Sequence, residues 1–276
     1  MGSHSASRTM TSNKDLSDRF RDINEFHLDD SRKLSGYRWF LDAVNFYVTQ
    51  IKNVIRLLVV PCRSRLYVFG DSHSQVLPSR RGLIKISVGP ITLHRAGKEG
   101  ETESLARGVF SWPRKLRMLP YPEPCQDSAL IVSFGEIDFR VHVAKESVRQ
   151  HSTPDAIIGG LLESALSVVV QLKNLYMCKI IFMGVIPPTD QHMDTRFPIS
   201  GSLEQRIVWV ETFNQELDHR LKSLPELRAR LLDISTDFKN DDGSLKSKFS
   251  DGTVHYGRVA GGRLLKAAID LAKSIV

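Results

Sequence analysis

Cysteine is scarce in this sequence, with three residues among 276. They stand far apart, at Cys62, Cys125 and Cys178, and such a set indicates neither a disulfide framework nor a zinc site. No group of histidine, cysteine and carboxylate residues has the spacing of metal ligands, so we expect no metal and no cofactor. Cysteines without partners are typical of a reducing compartment, which predicts a cytoplasmic protein.

Residues 37–60 lack the uninterrupted apolar run that a membrane span needs, because polar and charged residues interrupt apolar residues that recur at helical spacing. We interpret this segment as a helix packed on the domain. The alternative is a helix that contacts a membrane surface, because aromatic residues lie close to Lys52 and Arg56. Residues 1–13 are polar, with no cleavable secretory signal, and we interpret them as the remnant of an expression tag.

No compact basic tract interleaved with aromatic residues is present, so nucleic-acid binding is not expected. The 38 lysines and arginines exceed the 31 acidic residues, which gives a net charge of +7. That surplus is spread along the chain and is typical of a solvated surface, although it would also favour anionic glycans or an acidic membrane.

From residue 61 onward, short apolar segments alternate with longer stretches of helical periodicity. This alternation is typical of βαβ units and a parallel sheet, so we predict one α/β domain over 61–276, with a helical appendage over 14–60. Residues 92–127 are rich in Gly, Pro, Arg and Glu and are predicted to form a long irregular insertion. The predicted strands are 65–69, 84–88, 129–134, 179–184 and 230–234, and the predicted helices are 154–176, 202–223 and 257–275.

Residues that could take part in catalysis or in binding a ligand follow the predicted strands directly. Ser72 lies in a Gly-Asp-Ser-His segment between the first strand and a short helix, where a turn exposes the serine and aligns backbone N–H groups for an oxyanion. Ligands in open α/β sheets bind outside the carboxyl ends of the strands, so one crevice can collect several such segments. The others are Gly89 after the second strand, Gly135, Glu136, Asp138 and Arg140 after the third, and Asp251 and His255 before the last helix.

On these motifs, residues 64–276 resemble the SGNH or GDSL hydrolase superfamily. The resemblance implies a flavodoxin-like, three-layer α/β/α sandwich that hydrolyses esters or transfers acyl groups, often acetyl groups on carbohydrates. It implies that Ser72 is the nucleophile, His255 the general base and Asp251 the carboxylate that orients the base. The backbone N–H groups of Ser72 and Gly89 would be the oxyanion donors.

Two features depart from the family pattern. Ile137 stands where the family has an asparagine that completes the oxyanion hole, and Arg140 is the candidate replacement donor. Asp251 and His255 are separated by three residues rather than two.

The roles of several neighbouring residues stay open at this point. Glu136, Asp138 and Arg140 form either a structural cluster of ion pairs or a substrate-binding set, and His73 is either a substrate contact or a turn residue. His94 and His142 are the alternative bases.

Three functions follow from this pattern. The first is a serine esterase that acts on an acylated, and by resemblance acetylated, carbohydrate. The second is an acyltransferase on the same fold, and the third is a catalytically silent glycan-binding protein, which the absent asparagine favours.

Overall fold

The computed structural model describes residues 65–71, 74, 76–78, 83–88, 91–107, 123–190, 198–233, 235–252 and 256–275. All of them belong to the unit that residues 51–276 form. The predicted tag remnant and the predicted helical appendage, which includes the segment 37–60, lie outside the described residues.

Five parallel strands form a single sheet in the order β2-β1-β3-β4-β5. This order is that of flavodoxin-like folds, and it confirms the predicted three-layer α/β architecture. The pairing is in register at the carboxyl ends, where Gly70 lies between Ser87 and Ser133. The strands are β1 Leu66–Gly70, β2 Leu83–Ser87, β3 Ala129–Ser133, β4 Lys179–Met183 and β5 Ala229–Leu232.

The long helices begin at residues that cap them. Thr153 accepts a hydrogen bond from the N–H of Ala156, and Ser202 forms a reciprocal capping box with Gln205. Single turns of 3-10 helix occur at Pro225–Leu227 and Ser247–Phe249. Besides the helical residues 101–107, the α-helices are α1 Leu93–Ala96, α2 Val143–Arg149, α3 Pro154–Tyr176, α4 Leu203–Ser223, α5 Ser235–Phe238 and α6 Arg258–Ser274.

Each face of the sheet has its own hydrophobic core, because successive side chains of a strand point to opposite faces. Tyr67 and Phe69 of β1 pack with apolar residues of α3 and α4 on one face. Val68 packs with apolar residues of α6 on the other. Both faces are therefore covered, which is why β4 is apolar at each of its last four residues, 180–183.

The prediction of an irregular insertion over 92–127 is wrong at its beginning. Thr92 caps α1, and residues 101–107 are also helical. Leu93, Ala96 and Ala106 are buried and anchor these short helices to the domain. Residues 108–122 lie outside the described part of the chain.

One cysteine also departs from expectation. Cys125 is disulfide-bonded, whereas Cys178 is a buried free thiol whose pKa burial raises to about 12. The expectation that no cysteine is paired is therefore wrong for Cys125. Disulfides persist mainly in oxidising compartments, so the cysteines no longer support the predicted cytoplasmic location.

Among the described helices, α3 is long and apolar enough to cross a membrane. One of its faces is buried against the sheet through residues such as Leu162, Val169 and Leu172. A helix in the core of a globular domain can have the same length and apolar composition as a membrane span. The burial of one face of α3 against the sheet explains its apolar residues.

The first turn of α6 lies against the segment that follows β1. Gly261 allows this contact, because a Cβ atom there would lie 2.2 Å from the carbonyl oxygen of Val76. A Cβ atom on the next residue, Gly262, would meet no atom within 4 Å. Leu77 and Tyr256, from the same two segments, belong to one core cluster.

Alanine at these two glycine positions should therefore have opposite effects on the free energy of unfolding. Gly261→Ala should lower the free energy of unfolding by about 1–3 kcal/mol, since the backbone must move to admit a methyl group. Gly262→Ala should raise it by about 0.5–1 kcal/mol, since alanine is the better helix former. Thermal and urea unfolding followed by circular dichroism measures both, and equal stabilities would contradict the close contact.

Candidate active site

The carboxyl ends of β1 and β3 meet at very short range. A Cβ atom on Gly70 would lie 2.1 Å from the carbonyl oxygen of Ser133, so only glycine fits there. The N–H of Asp71 donates to that same carbonyl oxygen at 3.1 Å, and the N–H of Val88 donates to Gly70 at 2.9 Å. The ends of three strands are thereby tied together at the point where the strand order reverses, which is where ligands bind in folds of this class.

The described part of the chain includes some of the predicted site residues. It includes Gly135, Glu136, Asp138, Arg140 and Asp251. Ser72, His73, Gly89 and His255 lie outside the described residues, and their roles stay predictions. Asp71, directly before Ser72, is 1% exposed at the end of β1.

A π-helical turn shapes the segment after β3. The chain leaves the strand at Gly135, whose φ of +112° is a conformation that favours glycine. The turn spans Asp138–His142, with the N–H of Val143 donating to the carbonyl oxygen of Asp138. Three consecutive side chains, Asp138, Phe139 and Arg140, are buried, although the residues of a regular helix turn successively away from one face. Turns of this kind occur frequently at functional sites.

Asp138 binds the start of α1 rather than an arginine. Its Oδ2 atom accepts a hydrogen bond from the N–H of Leu93 at 2.6 Å, and the N–H of His94 also contacts the carboxyl group. Burial raises the pKa of Asp138 to about 7; these two N–H groups act against the shift, and the charge of Asp71 adds to it. Asp138 therefore links the end of β3 to the segment that follows β2.

The pKa of Asp138 predicts a pH-dependent stability. A carboxyl group whose pKa rises from 3.8 to about 7 on folding stabilises the folded state most at low pH, and this contribution is lost as the pH rises through the folded value. Asp138→Asn does not titrate. The free energy of unfolding of the wild type, relative to this variant, should therefore fall as the pH rises from about 4 to about 7. Each tenfold difference in the acid dissociation constant between the folded and the unfolded state corresponds to about 1.4 kcal/mol in the free energy of unfolding.

Urea unfolding at a series of pH values measures this difference. A wild-type-to-variant difference that does not change with pH would contradict a raised pKa at Asp138.

Glu136 and Arg140 form a buried ion pair, one of the two alternatives that the sequence left open. Arg140 Nε donates to Glu136 Oε1 at 2.5 Å and Nη2 donates to Oε2 at 3.3 Å. Its Nη1 donates to the carbonyl oxygen of Pro198 at 2.7 Å. The N–H of Ser200 donates to the carbonyl oxygen of Arg140 at 2.8 Å. Asp138 is not part of this pair, and a role of Arg140 toward substrate stays a prediction.

Breaking this pair should be costly. Arg140→Ala removes the guanidinium that pairs with the Glu136 carboxylate, whose side chain is only 10% exposed, so we expect a loss of about 3–5 kcal/mol in the free energy of unfolding and a marked loss of activity. Arg140→Lys should restore part of each, because lysine keeps the charge but not the planar fork.

The control is Arg149→Ala, which removes the exposed partner of Glu146 in the same helical segment and should leave unfolding unchanged. If Arg140→Ala unfolds with the same free energy as Arg149→Ala, the buried pair does not stabilise the fold.

Asp251 lies at the base of a short loop. Ser250 and Tyr256 pair in an isolated antiparallel bridge, and the N–H of Gly252 donates to Ser250 Oγ at 3.0 Å. Asp251 itself is exposed. The bridge keeps the two ends of the segment 251–255 together.

The two alternative histidine bases lie in α1 and in the π turn. His94 is exposed in α1, and His142 is half-buried at the end of the π turn, where burial lowers its pKa. Within the described residues, no three histidine, cysteine or carboxylate side chains are grouped so that they could hold a metal ion.

Sequence reasoning missed Arg206 and Asn214. Both are buried on α4, in the stripe that also holds Val210 and Leu217. Asn214 donates to and accepts from the backbone of Val185, at 3.0 and 2.9 Å, and so fixes the chain where it leaves β4. The signal that could have found them is a polar residue at a buried position of an otherwise apolar helical stripe.

No protein-family model matches the chain, and no curated protein sequence matches it. A structure of a protein proposed to be a platelet activating factor from Streptococcus pneumonia is similar, with 12% identity, a TM-score of 0.50, and coverage of 86% of this chain and 100% of that one. At this identity the likeness shows a shared fold.

Two further solved structures are more distant. A GDSL-like lipase from Bacteroides thetaiotaomicron has 13% identity, a TM-score of 0.47, and coverage of 83% of this chain and 96% of that one. Phospholipase A1 from Streptomyces albidoflavus has 13% identity, a TM-score of 0.43, and coverage of 77% and 99%.

Proposed function

We propose that this protein hydrolyses acyl esters through Ser72, His255 and Asp251, as SGNH or GDSL hydrolases do. The substrate class we propose is an acylated carbohydrate, with acetyl as the acyl group. The proposal rests on the resemblance of the motifs and on the position of the described segments that flank them.

The contact between Gly261 and Val76 is the observation that carries the proposal. Val76 is four residues after Ser72, and Gly261 is six residues after His255. Because the two backbones touch, the segment that contains the predicted nucleophile and the segment that contains the predicted base approach one another. Val76 lies six residues after the carboxyl end of β1, and open α/β sheets bind ligands at that edge.

The Ser250–Tyr256 bridge supports the atypical spacing of the predicted acid and base. Asp251 directly follows Ser250 in the sequence, and His255 directly precedes Tyr256, so both positions adjoin paired residues. Paired residues in antiparallel strands have Cα atoms about 4.5–5.5 Å apart. An extra residue between Asp251 and His255 therefore enlarges the loop without separating its ends.

The proposed reaction follows the chemistry of serine hydrolases. His255 takes the hydroxyl proton of Ser72 while Oγ attacks the ester carbonyl carbon, and the carbonyl oxygen becomes an oxyanion. Backbone N–H groups, with Ser72 and Gly89 as the predicted donors, hold the oxyanion. His255 then returns the proton to the leaving alcohol. Water, deprotonated by the same histidine, attacks the acyl carbon, and the histidine returns this proton to Ser72 Oγ as the bond from Oγ to the acyl carbon breaks and the carboxylic acid leaves.

Ile137 favours a second candidate, a protein that binds an acylated glycan without cleaving it. An isoleucine side chain cannot donate a hydrogen bond to an oxyanion, and each lost donor costs roughly 10²–10³ in rate. An acyltransferase would use the same residues, with a sugar hydroxyl in place of water, and is recognised by products that depend on the acceptor.

The triad predicts a graded loss of activity. Ser72→Ala should lower the turnover of p-nitrophenyl acetate by roughly 10³-fold or more, and His255→Ala should approach the same loss. Asp251→Asn should fall between these and wild type, because the carboxylate orients the base but moves no proton. The wild-type rate should rise with pH through an apparent pKa near neutrality, and His255→Ala should lose this rise.

The matched control is His219→Ala, at an exposed position of α4, which should keep the wild-type rate. A fluorophosphonate probe should label the wild type and not Ser72→Ala. Labelling of neither, together with binding of an acetylated oligosaccharide, would identify the silent glycan-binding protein instead.

A further inference from the structure

Cationic side chains gather around the loop that holds Asp251, on the face of the sheet that α6 covers. Residues 246–269 include five lysines and arginines, and Asp251 is the one acidic residue among them. Four of the five cations are exposed: Lys248 in the 3-10 turn Ser247–Phe249, and Arg258, Arg263 and Lys266 on α6. We call these four residues the basic face.

The backbone brings two of these cations to the base of the loop 251–255. Next to the antiparallel bridge that closes the loop, the N–H of Gly257 donates to the carbonyl oxygen of Phe249 at 2.6 Å. Lys248 directly precedes Phe249, and Arg258 directly follows Gly257. The basic face therefore borders the loop in which the acid and the base of the triad are predicted.

One aromatic ring holds two of the cations. Lys248 Nζ lies 5.0 Å and Arg263 Cζ lies 5.2 Å from the centroid of the Phe249 ring. Each cation is attracted to the ring, but the two like charges repel each other. Lys266, three residues after Arg263, is its neighbour on the helix surface and extends the positive region. An anion that contacts several of these cations would remove the repulsion between them.

Within the part of the chain that the structure describes, no carboxylate pairs with any of the four cations of the basic face. Further along α6, by contrast, Lys273 pairs with Asp270 at 3.0 Å. Asp251 is exposed in the neighbouring loop and offsets one of the four charges at most. The basic face therefore keeps a positive surplus that a negatively charged partner can neutralise.

The surroundings of these cations favour a glycan over a membrane or a nucleic acid. The apolar side of α6 is buried through Leu264, Leu265 and Ala268, and Val259 is the one large apolar residue that this helix exposes. A helix that binds a membrane surface needs a broad exposed apolar side. Phe249 is 1% exposed, so its ring is not available for stacking with a nucleic-acid base.

We infer that the basic face binds an acidic glycan, with Lys248, Arg258 and Arg263 in contact with carboxylate or sulfate groups of its sugar units. Such groups recur along the chain of an acidic glycan, so several of them can contact the face at once. Each guanidinium can bind an anionic group through two parallel hydrogen bonds. As a substrate preference this rests on the proposed ester hydrolysis, and it narrows the proposed acylated carbohydrate to a negatively charged one.

Binding gives the first test, because it needs no catalysis. Dextran sulfate and polygalacturonate supply sulfate and carboxylate groups on a sugar chain, and dextran is a neutral counterpart. Calorimetry on the full chain at low ionic strength should show binding of at least one acidic glycan and roughly tenfold or more weaker binding of dextran. The affinity should fall as salt is added, because ions screen exposed charges. The acidic glycan that binds more tightly identifies the anionic group.

Two double variants test whether the basic face is the contact. Lys248→Gln with Arg263→Gln removes the cations that share one ring and should lose roughly fivefold or more of the affinity, while Arg258→Gln alone should lose less. The matched control is Lys98→Gln with Lys145→Gln, which has the same net charge. It removes two exposed lysines beside α1 and α2, whose buried residues pack on the other face of the sheet. The control should keep the wild-type affinity.

Turnover gives the second test. The substrates are the O-acetylated forms of the acidic glycan that binds and of dextran, and the product measured is acetate. The ratio of kcat/KM for the acidic polymer to that for the neutral polymer should exceed one in the wild type and in the control. It should fall by roughly fivefold or more in Lys248→Gln with Arg263→Gln. Because each protein is compared with itself on two polymers, partial misfolding cancels in the ratio.

The outcomes separate this inference from the proposed function. If both polymers are cleaved but the ratio does not exceed one, or Lys248→Gln with Arg263→Gln keeps the wild-type ratio, the acidic preference is overturned while ester hydrolysis stands. If neither polymer is cleaved yet glycan binding depends on Lys248 and Arg263, the basic face stands and ester hydrolysis fails. Absence of binding to both acidic glycans overturns the inference, as does equal or tighter binding of single-stranded DNA or of phosphatidylserine vesicles.

Discussion

The close approach of β1 and β3 at their carboxyl ends is the constraint on which the rest of the site depends. With no side chain at Gly70, the carbonyl oxygen of Ser133 comes near enough to accept the N–H of Asp71. The strand order reverses between these two strands, so their connections run to opposite faces of the sheet and leave a crevice. The segments that follow β1 and β3 border the crevice, and both start from this contact. A larger residue at Gly70 would push them apart.

The fold could be predicted from the sequence because its signals are local. Strands buried on both faces are short apolar runs, and β4, with Ile180, Ile181 and Phe182, is such a run. The capping residues Thr153 and Ser202 marked where the two longest helices begin. The predicted irregular insertion failed at α1 because a helix of four residues is stabilised by burial of Leu93 and Ala96, which composition does not reveal.

The site was only partly predictable, because its contacts join residues that are distant in sequence. The sequence indicated that Glu136, Asp138 and Arg140 lie together, and the structure shows that Asp138 instead contacts the backbone of Leu93, 45 residues away. Arg206 reads as an ordinary charged residue of a helix until the fold buries it. The disulfide of Cys125 was missed for a related reason, since spacing along the chain says little about which thiols meet in space.

The π turn after β3 makes three neighbouring side chains mechanically interdependent. Asp138 contacts the start of α1, Arg140 binds Glu136 and the carbonyl oxygen of Pro198, and Phe139 between them packs on Phe213 with ring centroids 5.0 Å apart. A shift of α4 that moves Phe213 is therefore transmitted through one residue to the hydrogen bonds of Asp138 and of Arg140. Variation in the core beneath this turn alters both sets of hydrogen bonds together, so the two sets cannot diverge independently while Phe139 joins them.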